Sequence, residues 1–319
     1  MVTAHGIPAP DACSVGFDTH EISAYGTAAR AQFFVALEQP GPWGRDAAAQ
    51  SHLAPDLGRE LSTRCAQRGG RLTLLRRPGR HADEHGAHLG GTTVMAYLAW
   101  AGADPWLLQV RLEDPAALLE LDLEALARGD RSAVLASVPA AVAAAPVLLV
   151  CTNGRRDVCC AVRGRPVALD AATLAPGRIW EASHTGGHRF APTGVLLPHG
   201  MTFARLDAAL CHAVVTAAAQ DRVPVAATGP LHDRGRSALE PGAQTAEAHV
   251  RHLVEETGLN AFSTTPGSHP QTYAVRHRDG RSWEVRAHTV AQGDLPESCG
   301  KSAVSALAWS AVAKPVTSG

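Results

Sequence analysis

Residues 147–190 read VLLVCTNGRRDVCCAVRGRPVALDAATLAPGRIWEASHTGGHRF. The apolar run Val147–Val150 is continuous, which is typical of a buried strand in a parallel sheet. This strand leads into Cys151, and a polar loop, Thr152–Asp157, then leads to the adjacent thiols Cys159–Cys160. The sequence therefore places thiols on both sides of the loop that follows a predicted strand.

A second predicted strand, Arg178–Ala182, leads to two histidines in the segment His184-Thr-Gly-Gly-His188. The spacing of His184 and His188 would suit one face of a helix. The pair Gly186–Gly187 between them costs roughly 2 kcal/mol of helix propensity, so a tight loop is predicted instead. Glycine also lets the backbone approach a metal or sulfide closely.

The combination of thiols and imidazoles restricts the kind of metal that this segment can bind. Cysteine and histidine together favour zinc, iron–sulfur clusters or copper over ions that prefer oxygen ligands. The eight residues between Cys151 and Cys160 differ from the short C-x-x-C of a zinc ribbon. A loop of this length can surround something larger than a single ion.

The motifs of this segment resemble those of the sucrase/ferredoxin-like family. They are Cys151-x8-Cys160, Arg156-Asp157 inside that gap, and His184-x-Gly-Gly-His188. The resemblance is strongest over 147–205, moderate over 32–150 and faint beyond about residue 219. It implies a thioredoxin-like ferredoxin, in which two cysteines hold one iron of a [2Fe–2S] cluster and two histidines hold the other.

Carried over position by position, the resemblance implies four cluster ligands, namely Cys151, Cys160, His184 and His188. Because Cys159 adjoins Cys160, a register shifted by one residue would exchange these two thiols. The spacing from Arg156-Asp157 favours Cys160, and Cys159 is the alternative.

The resemblance implies an electron carrier rather than a stand-alone enzyme. The sequence contains no G-x-S-x-G, Walker or Rossmann motif, so the electron donor and acceptor would be separate, unidentified proteins. Neutral imidazoles reduce the negative charge of the cluster, and we expect a reduction potential well above the roughly −400 mV of all-cysteine plant-type ferredoxins. A bound imidazole keeps one N–H whose pKa depends on the charge of the iron, so we expect electron transfer to be coupled to protons.

Two other functions compete with this interpretation. One is a thiol oxidoreductase on a thioredoxin-like fold, with Cys159 or Cys160 as the nucleophile, although the C-x-x-C motif is absent. The other is a Cys2His2 structural zinc site in a binding module. Colour distinguishes them, because iron–sulfur proteins are red-brown and the other two are colourless.

The composition is that of an ordinary soluble globular chain, with 319 residues, 45% hydrophobic residues and a net charge of −1. No nucleic-acid partner is implied. Seven cysteines without regular spacing, together with the absence of a signal-peptide pattern in 1–17, predict a reducing cytoplasm. The longest uncharged run, 133–150, contains Pro139 and Pro146, so we interpret it as a turn or short helix followed by a strand, not as a membrane span.

The elements predict an α/β fold, and the resemblance implies that it is thioredoxin-like, with two degenerate thioredoxin-like halves and a small C-terminal α+β extension. The predicted divisions are an N-terminal arm (1–31), a half without cluster ligands (32–145), the cluster-binding half (146–220), and a linker with a helix-hairpin-helix extension (221–319). In this scheme 32–112 and 147–205 are copies of one strand–helix–strand–strand unit.

Local patterns give the elements in more detail. Strands are predicted at 32–38, 71–76, 92–100, 106–112 and near 195, and a hairpin at 271–277 and 282–289 around Asp279-Gly280. Helices are predicted at 51–68, 114–128, 206–220, 245–257 and 296–312. The segment 221–240, rich in glycine, proline and arginine, is interpreted as a linker.

Other potential ligands receive plainer interpretations. The segment containing His81, His85 and His88 has the composition of an exposed loop, with a second metal site as the alternative. Cys65 and Cys211 lie on apolar faces of predicted helices and are assigned to the core. Cys13 and Cys299 lie in polar contexts and are interpreted as passive thiols, with a reactive thiol as the alternative.

Overall fold

A computed structural model of the chain describes residues 8–79 and 93–316. The strands of its large sheet are β1 Phe33–Glu38, β2 Gly70–Arg76, β3 Val94–Trp100, β4 Trp106–Leu112, β5 Val142–Ala143, β6 Val147–Cys151, β7 Ile179–Ala182, β8 Gly194–Leu197, β9 Met201–Phe203 and β10 Asp233–Arg236. The helices are α1 Cys13–Thr19, α2 Pro55–Gln67, α3 Leu123–Ala127, α4 Arg131–Ser137, α5 Val158–Leu174, α6 Ala208–Ala218 and α7 Pro241–Leu253.

The large sheet has the strand order β10-β9-β8-β6-β7-β2-β1-β3-β4-β5. In one half β1 is parallel to β2 and antiparallel to β3, which is antiparallel to β4. In the other half β6, β7, β8 and β9 repeat this arrangement. The halves join where β2 and β7 pair antiparallel, with Leu75 opposite Ala182 and Arg76 opposite Glu181.

This matching topology is what the predicted internal repeat requires. The α/β fold class is confirmed. The thioredoxin-like assignment itself and the predicted domain boundaries stay predictions.

The central strands are buried on both faces, as their continuous apolar sequences predict. In β6, Leu148 and Val150 pack with the apolar sides of α5 and α6. Val147 and Leu149 point to the opposite face, into a cluster that also contains residues of the first half such as Phe34. One buried layer thus spans both halves and fixes the end of β6 relative to the end of β7.

The predicted helix at 114–128 is interrupted in the structure. Asp114 caps a 3₁₀ turn, Pro115–Glu120, by accepting a hydrogen bond from the amide of Ala116 at 2.8 Å. Asp122 then caps α3 by accepting one from the amide of Ala125 at 2.8 Å. Asp122 is a second good N-cap residue inside the predicted helix, and it therefore ends the first turn and starts α3.

The predicted linker at 221–240 contributes a strand to the large sheet, so that interpretation was wrong. It contains β10, which pairs antiparallel with β9 at the sheet edge. Arg234 in this strand is only 1% exposed. Glycine and arginine indicated a solvated segment, but a buried guanidinium is tolerated where it finds fixed hydrogen-bond acceptors.

The predicted N-terminal arm is packed in the structure rather than loose, over the residues that are described. Phe17 and Ile22 are each 1% exposed and belong to a core cluster with Phe190. The amides of Thr27 and Ala28 both donate to the carbonyl of Arg234, at 3.2 and 3.1 Å. The N-terminal segment therefore continues the hydrogen-bonded surface of β10.

The C-terminal region forms a four-stranded antiparallel sheet made of β11 Phe262–Pro266, β12 Thr272–His277, β13 Ser282–Leu295 and β14 Val304–Pro315. Helix α7 packs on this sheet and on β10. The prediction of a helix at 296–312 was wrong. Its alanines indicated a helix, but Ala306 and Ala308 alternate with exposed residues on a long strand paired to β13.

The described residues contain no helix that is both long and apolar enough to cross a membrane. The uncharged run 133–150 instead divides among α4, β5 and β6. Cys65 and Cys211 are fully buried in the core, as predicted. The candidate histidines His81, His85 and His88 lie outside the described residues.

Candidate metal centre

The two predicted cysteine ligands lie at the carboxyl end of β6 and in the first turn of α5. Cys151 is 0% and Cys160 1% exposed. Helix α5 comes close to the strand because Gly164 has no side chain, and a Cβ atom there would collide with the carbonyl oxygen of Cys151. The loop between Cys151 and α5 therefore folds back and brings the two thiols together.

Three of the predicted ligands lie close together. The proximity of Cys160 and His184 to the Cys151 thiol holds its pKa well below the ordinary value in spite of its burial. The contact with Cys151, together with burial, raises the pKa of Cys160. These opposite directions favour the thiolate form at Cys151 over Cys160, and the thiolate is the form of cysteine that binds metals.

The histidine loop is held by hydrogen bonds rather than by helix geometry. The hydroxyls of Thr185 and Thr193 lie 2.8 Å apart, and that of Thr193 also donates to the carbonyl of Gly186 at 3.3 Å. Gly186 and Gly187 have φ values of 79° and 70°, in the left-handed region that favours glycine. These conformations turn the chain tightly between the two histidines, as predicted.

Arg234 packs directly beneath this loop. Its guanidinium donates to the carbonyl of Gly186 at 2.9 Å, to the Thr27 hydroxyl at 3.0 Å and to the Thr27 carbonyl. A Cβ atom on Gly187 would collide with this guanidinium. The glycine pair therefore allows the tight turn and also leaves room for the guanidinium of Arg234.

The ring nitrogens of the histidines are suited to hold a metal. Nδ1 of His184 and both ring nitrogens of His188 are buried and make no hydrogen bond of ordinary length among the described residues. Buried polar atoms without partners are rare in native proteins and call for an explanation such as an ion. Burial lowers the pKa of His188, which favours the neutral imidazole that binds metals.

Positive charges surround the thiols. Burial lowers the pKa of Arg234 to about 9, while the nearby Cys151 and Cys160 act in the opposite direction. Arg71 lies near Cys151 and donates to the carbonyl of His184 at 3.5 Å. These guanidiniums offset the charge of thiolates in a site with little water.

A second group of ligands, which we call the three-thiol cluster, consists of Cys13, Asp157, Cys159 and Cys299. Their ligand atoms all lie within 4.8 Å of one another, so this group can hold a metal ion. The Sγ atom of Cys159 is 3.1 Å from that of Cys299 and 3.6 Å from that of Cys13. The Sγ atoms of Cys13 and Cys299 are 3.5 Å apart.

Asp157 connects the three-thiol cluster with the predicted centre. Its carboxylate caps α5 by accepting from the Cys159 amide at 2.9 Å, and it also accepts from the Ser298 hydroxyl and the Cys299 amide at 2.9 and 3.0 Å. Its Oδ2 atom lies 3.6 Å from Nε2 of His188. These contacts lower the pKa of Asp157 although burial opposes them.

The structure thus brings Cys151, Cys160 and His184 together and places His188 next to His184 and Asp157. Cys159 points away, to the three-thiol cluster. The local sequence patterns did not indicate the positions of Arg234, Cys13 and Cys299 beside these ligands. No local pattern could have joined Cys13 to Cys299, since they are 286 residues apart.

The comparisons with known proteins agree with the motifs. A family model described as sucrase/ferredoxin-like matches residues 24–228. No curated protein and no solved structure matches the chain. The matched segment covers both halves of the large sheet up to β9, together with all four predicted ligands, and the chain belongs to the sucrase/ferredoxin-like family.

Proposed function

We propose that this protein transfers single electrons on a [2Fe–2S] cluster held by two cysteines and two histidines. The ligands are Cys151, Cys160, His184 and His188. The cluster supplies a site that accepts and releases one electron. The protein's own residues hold the cluster, exclude water from its thiolate side and surround it with positive charge.

One observation carries this proposal: buried thiols and buried imidazole nitrogens without hydrogen bonds converge on one place. Cys160 and His184 lie next to the Cys151 thiol. Nδ1 of His184 and the ring nitrogens of His188 are buried without a hydrogen bond of ordinary length, and Nε2 of His188 lies 3.6 Å from an oxygen of Asp157. Two thiolates and two imidazoles are a known ligand set for a [2Fe–2S] cluster of raised potential.

The surrounding charges favour the reduced state. Reduction adds a negative charge, and the guanidiniums of Arg71 and Arg234 lie close to the thiols in a buried environment. Electrostatic interactions are stronger there than in water. Both the imidazole ligands and these arginines therefore raise the reduction potential above that of an all-cysteine cluster.

The rival functions differ in what the site must allow. A thiol oxidoreductase needs a nucleophilic sulfur that a substrate can reach, whereas Cys159 and Cys160 are each 1% exposed. A Cys2His2 zinc site would use the same four residues as the cluster. The metal and sulfide content distinguishes a zinc site from a [2Fe–2S] cluster, because a zinc protein is colourless and contains no acid-labile sulfide.

The proposal is tested on protein purified without oxygen. We expect a red-brown protein with about two irons and two sulfides per chain, and an electron paramagnetic resonance signal that appears on reduction. Colourless protein that contains zinc at these four residues would overturn the proposal. The proton coupling expected from the sequence is tested by voltammetry, in which the potential should fall as pH rises, by at most about 59 mV per unit.

We propose that the electron donor and acceptor are proteins with an acidic docking surface. Arg155 and Arg156 are exposed in the loop that joins the two cysteine ligands, and Arg165 is exposed on α5. Anionic partners would be steered to this side, and their rates should decrease with ionic strength. We place this activity in the reducing cytoplasm, where thiolate ligands remain available.

A further inference from the structure

We propose that the three-thiol cluster is a second metal site, which binds a single zinc-type ion separately from the [2Fe–2S] centre. The ligands are the thiolates of Cys13, Cys159 and Cys299, with an oxygen of Asp157 in the fourth position. This site does not depend on the proposed electron transfer.

The distances between the sulfurs fit one ion. A tetrahedral zinc with Zn–S bonds of about 2.3 Å places its sulfurs about 3.8 Å apart. The three Sγ–Sγ distances are 3.1, 3.5 and 3.6 Å, so small side-chain movements suffice. In a cluster of several irons, thiolates on different irons would lie much further apart, because metal and sulfide atoms separate them.

The fourth position is also available. Oδ1 of Asp157 lies 3.9 Å from the Sγ atom of Cys13, and its carboxylate is oriented by the amides of Cys159 and Cys299. Carboxylates held by such outer hydrogen bonds are typical of protein metal sites. Three sulfurs and one oxygen give zinc its preferred coordination number of four.

The surroundings indicate a built site rather than a chance contact. Cys13 is 0%, Cys159 1% and Asp157 5% exposed. Three sulfurs and a carboxylate oxygen thus converge in a place from which water is largely excluded. Cys299 is half-buried, which leaves a path by which an ion can enter.

The site would connect distant parts of the chain. Cys13 begins α1, Asp157 and Cys159 begin α5, and Cys299 lies between β13 and β14. Cys13 and Cys299 both lie outside the residues that the family model matches, 24–228. The bound ion would therefore fasten the N-terminal segment and the C-terminal sheet to the half that carries the [2Fe–2S] ligands.

Metal analysis of the full-length protein, purified anaerobically, tests this site. We expect about one zinc per chain in addition to iron. Cys299→Ser should lose the zinc and keep the iron and the visible spectrum, whereas Cys65→Ser, which changes a buried thiol far from both sites, should keep both metals. Wild-type protein without zinc, or a Cys299→Ser protein that retains it, would overturn the proposal.

Cobalt binding provides a second measurement that does not require the iron–sulfur cluster. In the variant Cys151→Ser/Cys160→Ser, added Co²⁺ should give the intense visible bands of tetrahedral cobalt thiolate, because the three-thiol cluster remains. Adding Cys13→Ser or Cys299→Ser should weaken cobalt binding more than about 100-fold, since even outer-shell partners are worth roughly 10–100-fold.

The competing possibility is a disulfide between Cys159 and Cys299. Their sulfurs would have to approach to about 2.05 Å from 3.1 Å. Mass spectrometry of the anaerobic protein distinguishes the two, because a disulfide lowers the mass by two hydrogens. Finding that bond in most molecules, or no thiolate-to-cobalt bands after reduction, would refute the metal site.

Discussion

Cys159 and Cys160 are adjacent in sequence, yet their thiols belong to different groups of ligands. Cys160 contacts Cys151, whereas the Sγ atom of Cys159 lies 3.1 Å from that of Cys299. Both residues are in the first turn of α5, where successive side chains point about 100° apart. A single helix turn therefore serves two sites.

Exchanging each thiol for a hydroxyl separates the two roles. Cys160→Ser should remove most of the iron and the visible absorption of anaerobically purified protein, because a serine hydroxyl is a poor ligand for a soft metal. Cys159→Ser should leave the visible spectrum nearly unchanged. The two variants form a matched pair, and the opposite pattern would show that Cys159 is the cluster ligand.

The histidines can be tested by changing the charge of the ligand. His188→Cys should still assemble a cluster, because thiolate binds iron well, but its reduction potential should fall by roughly 100 mV or more as an anion replaces a neutral ring. Voltammetry of the reconstituted protein measures this change. A variant with a cluster of unchanged potential would mean that His188 does not bind iron.

Sequence patterns sufficed where the signal was local. Continuous apolar runs predicted β6 and the other central strands, and Gly186–Gly187 predicted the turn between the histidines. The patterns failed where distant residues decide the structure. Arg234 looks solvated in its own segment because its acceptors, Thr27 and Gly186, come from other parts of the chain.

The C-terminal region shows the same limit. Alanine has the highest helix propensity, and a helix is predicted at 296–312, the segment that holds Ala306, Ala308 and Ala311. In the structure these alanines face the core of a strand that pairs with β13 along most of its length. Tertiary pairing thus overrides a propensity that amounts to tenths of a kcal/mol per residue.

Arg234 should act as a positioning residue for the histidine loop. The guanidinium of Arg234 donates to Thr27 and Gly186 at the same time through different nitrogens. In Arg234→Lys the single ammonium nitrogen cannot reach both residues. We expect reduced iron content and, in the molecules that keep the cluster, a changed reduction potential. The buried ammonium keeps its charge but makes fewer hydrogen bonds, which should also cost roughly 1–3 kcal/mol of stability.

Arg251→Lys is the matched control for this prediction. Arg251 is 2% exposed, against 1% for Arg234, and it donates to the carbonyls of Glu256 and Gly258 in the C-terminal region. Its exchange should lower the thermal midpoint to a similar degree without altering the potential. If both variants shift the potential equally, Arg234 has only a structural role.

His199 should make the stability of the fold depend on pH. It is 3% exposed, and burial lowers its pKa to about 4 from an ordinary 6.5. Arg236 and Arg251 lower the pKa further, whereas Asn260 and Asp221 raise it. Between pH 6.5 and 4 the unfolded chain therefore binds a proton that the folded protein does not.

By linkage, the extra proton on the unfolded chain lowers the free energy of unfolding as the pH falls from about 6.5 toward 4, by up to about 3 kcal/mol. Above about pH 6.5 His199 is neutral in both states, and this loss of stability is absent. Denaturant unfolding measures the difference in the free energy of unfolding between about pH 7.5 and about pH 5, which lie on either side of the ordinary histidine pKa. His199→Gln should reduce it, since glutamine stays neutral, while the same exchange at the exposed His20 should not. An equal pH dependence in the wild-type protein and in His199→Gln would show that another group is responsible.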